Sequence, residues 1–268
     1  MARLAPAGLR GRLDAAFSPS HDGARAAVAA TSPLELRGPL RGDAAALFYL
    51  RNVTAGVLDG DCYEVRLRTE PGVRVQVASS SATKVFTMPV GGASSHVDLH
   101  AAPGSVIVWG PHATILQAGA AYRQSTRIHV APGAIVLAAE VIAFGRLARG
   151  ERHAFHRFDS ELIVHRDACP VFEERYSLTP TPLSASGEGL GEGSLAPALA
   201  GRGVLASVYA LGVDAALLPC LDPVIDAPLA GAGALPNDAG LVARLLCDSL
   251  STGTAFVESC LRHLLTEI

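Results

Sequence analysis

Three Pro-Gly pairs, each flanked by segments of alternating polarity, constrain the fold of this chain more than any other feature. They occur about thirty residues apart, at Pro71-Gly72, Pro103-Gly104 and Pro132-Gly133. Proline presets φ at the first central position of a type II turn, and glycine accepts the positive φ of the second. Recurrence at this spacing predicts similar strand pairs stacked into an elongated body. The alternative is a chance recurrence of Pro-Gly turns in another kind of β protein.

The alternating segments lie between residues 62 and 178 and repeat with a period of two. In YEVRLRT, residues 63–69, Tyr and aliphatic side chains alternate with Glu64, Arg66 and Arg68. Successive side chains of a strand point to opposite faces, so this pattern predicts half-buried strands, which we expect to be of the antiparallel type. The predicted fold is mainly β: an elongated, β-helix-like stack of strands with a small α-helical C-terminal part.

The sequence divides into three regions that we expect to form one structural domain. Residues 1–178 are the β-rich body, 179–201 a flexible loop rich in Pro, Gly and Ser, and 202–268 the final strand or strands and C-terminal helices packed on the body. Apolar spacing predicts helices within 237–250 and 252–268. Their expected N-caps are Asn237 or Asp238, and Thr252 or Thr254.

The loop contains GEGLGEG, residues 187–193, which is superficially similar to a phosphate-binding loop. Glu188 and Glu192 would repel phosphate, and no Lys-Ser or Lys-Thr pair follows. We therefore interpret this segment as a linker.

Bulk composition disfavours several classes of partner. The net charge of −3 and pI near 6.3 provide no general attraction to nucleic acid or anionic lipid. The start lacks the apolar core of a secretory signal, and the longest apolar runs are too short to span a bilayer. We expect a soluble, cytoplasmic protein. Five cysteines without a C-x-x-C pair argue against disulfides and structural zinc, and predict buried reduced thiols.

Candidate metal-ligating residues occur in SHVDLH, residues 95–100, where His96, Asp98 and His100 share one face of a strand. Imidazole and carboxylate suit nickel or zinc. However, residues i and i+4 of a strand lie about 13 Å apart, so at most a neighbouring pair could bind one ion. A solvated polar face is the simpler alternative. The carboxylates Asp61 and Glu140 are either buried polar anchors or groups that line a channel.

No motif for nucleophilic or metal-dependent catalysis is present: G-x-S-x-G and H-E-x-x-H are both missing from the sequence. A scaffold or binding protein therefore fits better than an enzyme.

Several segments resemble the urease accessory family UreD, also called UreH. FGRLARGE, residues 144–151, is similar to its L-G-R-x-A-x-G-E signature, with Phe144 in place of leucine. AGVLDGD (55–61), SSSATKVF (79–86), VWGPHATIL (108–116) and GLVARLLCDS (240–249) resemble further family segments in the same order. Ala55 replaces a family glycine and Gly110 a leucine, so the chain is identified as a divergent member. The matching positions are Gly60, Asp61, Thr83, Lys84, Trp109, Pro111, Glu140, Gly145, Arg146, Gly150 and Glu151.

The resemblance implies a β-helix-like fold and a non-catalytic role. Family members bind apo-urease and UreF; UreF recruits the GTPase UreG, which supplies nickel, and a water-filled passage carries the ion to the urease active site. No tightly bound cofactor is implied, only nickel in transit. We expect Asp61 and Glu140 to line or brace this passage; His96, Asp98 and His100 are weaker transit candidates.

For the signature itself, we expect Gly145 and Gly150 to permit tight turns and Arg146 to pair with Glu151.

Two competing hypotheses remain at this point. The first is a metal-dependent enzyme on a β-helix or β-barrel that uses His96, Asp98 and His100. The second is a β-solenoid binding module with unrelated partners.

Overall fold

The computed structural model describes residues 8–21, 23–40, 45–182, 193–194 and 199–268. The strands are β1 (Arg10–Ser20), β2 (Gly23–Ala30), β3 (Leu34–Leu40), β4 (Ala46–Asn52), β5 (Cys62–Thr69), β6 (Arg74–Ser79), β7 (Thr83–Val85), β8 (Ala93–Ala101), β9 (Val106–Gly110), β10 (Thr114–Leu116), β11 (Ala121–Val130), β12 (Ile135–Ala143), β13 (Arg157–Arg166), β14 (Cys169–Leu178), β15 (Thr181–Pro182), β16 (Gly193–Ser194), β17 (Val204–Leu211), β18 (Ala230–Ala234) and β19 (Gly240–Cys247). The α-helices are α1 (Asp222–Ile225) and α2 (Leu250–Glu267), and short 3-10 helices cover Leu147–Arg149, Ala215–Leu221 and Pro236–Asp238.

Two large sheets face each other across the core. Sheet A has seven strands in the order β14-β13-β11-β8-β5-β1-β2. Sheet B has ten: eight in the order β18-β19-β17-β12-β9-β6-β4-β3, with β10 and β7 attached beside β12. The result is the mainly β, solenoid-like stack expected from the sequence, with a C-terminal helix.

The Pro-Gly turns form the corners of this stack. Each turn carries the chain from sheet A to sheet B, between β5 and β6, β8 and β9, or β11 and β12. Their glycines have φ of 72°, 67° and 69°, as a type II turn requires. The turns also stack on one another, because Gly72 N donates to Pro103 O at 3.0 Å and Gly104 N to Pro132 O at 3.4 Å. The spacing of about thirty residues is therefore one coil.

The expectation of antiparallel strands is wrong for the centre of the body. The pairs β1–β5, β5–β8, β8–β11 and β11–β13 are parallel in sheet A, as are β4–β6, β6–β9 and β9–β12 in sheet B. Consecutive strands enter opposite sheets, so hydrogen-bonded neighbours come from successive coils and run in the same direction. Antiparallel pairs occur towards the ends, for example β1–β2 and β13–β14.

The core between the sheets is built from the side chains that the alternating pattern placed on one face. Leu67, Leu99 and Ile128 occupy matching positions in three adjacent strands of sheet A, and all three are fully buried. Burial of each such side chain stabilises the fold by about 1.5–3 kcal/mol. The opposite face of these strands carries charged and polar residues.

A second apolar layer covers the outer face of sheet B. Helix α2 packs Phe256, Val257, Cys260 and Leu264 against β12, β17 and β19. The prediction of a helix within 252–268 is confirmed, but its N-cap is Ser249, whose hydroxyl accepts from Thr252 N, rather than Thr252 or Thr254.

The prediction of a helix over residues 237–250 is wrong. This segment forms β19, which pairs with β17 and β18, and Asn237 and Asp238 lie in a 3-10 turn without capping an α-helix. Sheet B is covered on both faces here: Leu241 and Leu245 pack towards α2, while Val242 and Leu246 face the core between the sheets. A strand buried on both faces lacks polar alternation, and its apolar residues then fall at helix-like spacings.

The predicted strand after the loop is confirmed as β17. Within 179–201, Thr181–Pro182 pairs with Gly193–Ser194, and Glu188 and Glu192 lie outside the described residues.

The prediction of buried thiols holds for only one cysteine. All five are unpaired, but Cys260 alone is buried and Cys169 is exposed at the start of the edge strand β14. Within the described part of the chain, we find no helix with the length and apolarity needed to cross a bilayer.

Candidate functional site

A cavity of about 330 Å³ lies between sheets A and B. The inward faces of β5, β8, β11 and β13 form one wall, and β9 and β12 contribute to the other. Its rim includes the exposed residues Ser80, Ser81, Lys84 and His112, so the cavity is open to solvent at this edge.

Glu140 projects into the cavity from the middle of β12, between Ala139 and Val141, which face α2. Gln124 Nε2 donates to Glu140 Oε2 at 2.7 Å, and the Tyr176 hydroxyl lies 3.4 Å from Oε1. Burial raises the pKa of the Glu140 carboxyl, and the hydrogen bond from Gln124 offsets this only in part. The cavity thus contains one carboxyl group that is held by neutral donors.

Glu140 belongs to a row of polar residues that crosses sheet B. Glu140 is aligned with Ser207 of β17, which is aligned with Arg244 of β19. Arg244 Nη2 donates to the Tyr209 hydroxyl at 2.8 Å and pairs with Glu174, which also accepts from Tyr209 at 2.7 Å. Arg244, Glu174 and Tyr209 therefore form an ionic cluster beside the cavity.

Glu174, Tyr209 and Arg244 were not predicted as site residues from the sequence. One signal was available, since Arg244 is the arginine of GLVARLLCDS, a segment already noted as similar to the family. Its interpretation as a helix obscured the inward orientation of this side chain.

Asp61 braces the cavity wall and is absent from the residues that line it. Its carboxylate is buried, with 3% of the residue exposed, and accepts from Leu9 N at 2.8 Å, Leu58 N at 2.9 Å and the Tyr63 hydroxyl at 2.7 Å. Tyr63 does line the cavity, and burial together with the Asp61 hydrogen bond raises its pKa to about 12. Gly60, with φ of 86°, makes the turn that precedes Asp61.

Other residues that match the family signature meet at the cavity although they are distant in sequence. Thr83 and Lys84 of β7, Trp109 of β9 and Pro111 line it together with Glu140. They come together because β7 and β10 are parallel neighbours and β10 pairs with β12.

The FGRLARGE segment forms a compact turn held by Glu151. Glu151 Oε1 accepts from Ala118 N at 3.0 Å and Arg146 N at 3.2 Å, and Oε2 accepts from Arg146 Nε at 2.9 Å. The predicted Arg146–Glu151 pair is present. Burial alone would raise the pKa of Glu151, but the hydrogen bonds and charge of Arg146 outweigh it and lower the pKa.

Glycine is required at the start of that turn. Gly145 has φ of 137°, and a Cβ there would lie 2.2 Å from the carbonyl oxygen of Glu151. Gly150 ends the 3-10 helix with φ of 72°. Phe144 is fully buried against Phe155 and Phe158, which anchors the segment to the core.

The structure separates His96 from Asp98 and His100. His96 Nδ1 lies 2.6 Å from Ser125 Oγ, whereas Asp98 Oδ1 lies 3.0 Å from His100 Nε2 and 3.4 Å from His129 Nε2. All of these side chains are on the outer face of sheet A, away from the cavity. The structure therefore does not bring His96, Asp98 and His100 together at one point. This agrees with the separation expected for residues i and i+4 of a strand.

His129 joins Asp98 and His100 because the parallel register of β8 and β11 aligns it with His100. The sequence did not reveal this register. Burial and the neighbouring His100 lower the pKa of His129. Burial would raise the pKa of Asp98, but contacts with His100 and Arg66 outweigh it and lower the pKa.

Comparison with known proteins identifies relatives along almost the whole chain. The family described as UreD urease accessory protein matches residues 9–268. "Urease accessory protein UreD 2" of Streptomyces griseus subsp. griseus is 33% identical over 250 residues, covering 88% of this chain and 83% of the relative. "Urease accessory protein UreD" of Haloarcula marismortui is 32% identical over 249 residues, or 89% and 80%, and that of Anaeromyxobacter sp. is 32% identical over 246 residues, or 88% and 80%.

Proposed function

Because this chain belongs to the UreD family of urease accessory proteins, we propose that it is a scaffold for nickel insertion into urease. In this proposal it binds apo-urease and UreF, and helps to pass nickel from the GTPase UreG to the urease active site. It is an accessory protein and not an enzyme. Nickel is cargo rather than a resident cofactor.

The observation that carries the proposal is the cavity between the sheets, with a small number of polar side chains on its walls. A passage for a divalent ion needs weak oxygen contacts, because a complete ligand set would trap the ion. The cavity wall has this character: Glu140 is held by Gln124, and the nearby carboxylate of Glu174 is already paired with Arg244. Among the described residues, the side chains close enough to chelate an ion together are on the outer face of sheet A and not in the cavity.

The first experiment tests the scaffold. Tagged protein is co-expressed with UreF and apo-urease from the same genome, purified by pull-down and size-exclusion chromatography, and supplied with UreG, GTP, bicarbonate and nickel. We expect a stable complex that gains urease activity. Soluble, folded protein that associates with neither partner would contradict the proposal and favour a β-solenoid module with unrelated partners.

The second experiment tests the cavity as the route of nickel. Thr126 projects into it from β11, so Thr126→Phe places a ring in a space of about 330 Å³, whereas the control Thr126→Ser keeps the hydroxyl and adds no volume. We expect both variants to bind UreF and apo-urease, and only Thr126→Phe to slow activation. If Thr126→Phe assembles and activates as the wild type does, nickel takes another route.

A further inference from the structure

The outer face of sheet A carries a row of histidines created by the coil repeat. His100 of β8, His129 of β11 and His165 of β13 are aligned in the parallel register. Their rings are stacked, with centroids 4.3 Å apart between His100 and His129 and 4.8 Å between His129 and His165. Asp98 lies at one end of this row, next to His100 and His129.

Three potential ligand atoms converge at that end. Asp98 Oδ1, His100 Nε2 and His129 Nε2 all lie within 4.8 Å of one another. The two distances from Asp98 Oδ1 to the nitrogens are 3.0 and 3.4 Å. Ligands about 2.0–2.1 Å from a tetrahedral ion are about 3.3 Å apart, and cis ligands of an octahedral ion about 2.9 Å apart. The two separations that involve Asp98 therefore match those around a small divalent ion.

The Asp98 carboxylate is oriented as a ligand would be. Arg66 Nε donates to Oδ2 at 3.1 Å, which fixes the carboxylate and leaves Oδ1 directed at the imidazoles. Oδ1 is buried and accepts no well-aligned hydrogen bond, although both Nε2 atoms are near. A buried carboxylate oxygen normally has a donor, so this atom has unused capacity to bind a cation.

Access to these atoms is open. The side chains of His100 and His129 are 37% and 36% exposed, and a surface pocket lined by His100, His129 and His165 lies beside them. The two rings are now 4° from parallel, so they must rotate apart before both Nε2 lone pairs can point at one ion. Their exposure leaves room for that rotation.

We infer that Asp98, His100 and His129 form a binding site for one divalent transition-metal ion of the Ni²⁺ or Zn²⁺ class. Two imidazoles and one carboxylate suit these ions better than Mg²⁺ or Ca²⁺, which prefer oxygen ligands. Three protein ligands leave the remaining coordination positions to water or to a ligand from another molecule. The site is on the opposite side of sheet A from the cavity and does not depend on the proposed role in urease maturation.

The test is equilibrium metal binding by the purified full-length chain, measured by calorimetry with Ni²⁺ and with Zn²⁺. We expect one equivalent to bind to the wild type and no comparable binding of Mg²⁺. Loss of groups that merely orient ligands weakens metal binding about 10–100-fold, so removal of a direct ligand should cost at least about tenfold. His129→Ala and Asp98→Asn should each show this loss.

The matched control is His96→Ala, which removes an outward-facing histidine of the same strand that contacts Ser125 instead. Circular dichroism and the thermal midpoint establish that each variant is folded. The inference is wrong if the wild type binds no more Ni²⁺ or Zn²⁺ than a His100→Ala/His129→Ala double variant. It is also wrong if His96→Ala weakens binding as much as His129→Ala, because the ion would then be held elsewhere on this face.

Discussion

Replacing Glu151 by alanine should destabilise the protein far more than removing its charged partner Arg146. The Glu151 side chain is only 12% exposed, and its carboxylate accepts from two backbone amides, Ala118 N and Arg146 N, as well as from the Arg146 guanidinium. Alanine leaves both amides without an acceptor where water has little access. Arg146→Ala removes the guanidinium alone, whose side chain is 40% exposed.

The magnitudes of these two losses separate clearly. Each amide bond to the carboxylate contributes about 1–1.5 kcal/mol net. Glu151→Ala should therefore cost about 2–3 kcal/mol, and Arg146→Ala should cost clearly less, because the guanidinium is exposed to water and its ion pair is screened. The assay is urea unfolding of both variants and the wild type. An equal slope of the unfolding free energy against urea concentration in all three proteins checks that their unfolded states are comparable.

The dependence on pH provides an independent check. The pKa of Glu151 is lower in the folded protein than its ordinary value of 4.5. The contribution of the ionised carboxylate to the free energy of unfolding is thus present above pH 4.5 and is lost as the pH falls through the folded-state pKa. The difference in unfolding free energy between wild type and Glu151→Ala should therefore become smaller in acid. A cost for Glu151→Ala no larger than that for Arg146→Ala at neutral pH would refute the reasoning.

Three further predictions concern the cavity, its wall and a corner of the stack. Glu140→Gln should become more stable relative to wild type as the pH rises above 4.5, because folding raises the pKa of this carboxyl and its ionisation then lowers the stability of the wild type. A difference in unfolding free energy that does not change with pH in urea titrations would contradict this. Asp61→Ala should lower the unfolding free energy by about 3 kcal/mol or more, because three donors lose a buried acceptor, and Asp61→Asn, which keeps one carbonyl acceptor, should lose less. Gly104→Ala should lower the unfolding free energy by about 1–2 kcal/mol, measured by thermal or urea unfolding, because φ is 67°; no atom lies near the new Cβ, so the cost comes from the backbone conformation and not from a clash. Gly231→Ala is the neutral control, because an added Cβ there is equally unobstructed and φ is not positive.

The parts of the site that could be predicted from the sequence are those whose determining interactions are local. FGRLARGE illustrates this, because Gly145, Arg146 and Glu151 are close in the chain and their geometry depends on short-range sterics and charge. The sequence predicted that Glu140 is a buried polar anchor or a group that lines a channel, but it did not indicate the partner Gln124, which lies in the opposite sheet.

Local sequence signals are sufficient to specify one coil of the stack. The φ preferences of proline and glycine define the corners, and the period of two defines which side chains enter the core, because both act within a few residues. The pairing of one coil with the next, in contrast, follows from long-range contacts. Parallel register aligns His100 with His129, residues in different coils, and pairing with β17 makes β19 a strand whose Arg244 points inward. These outcomes depend on hydrogen bonds and burial between segments that are distant in the chain. Local sequence patterns carry no information about such contacts.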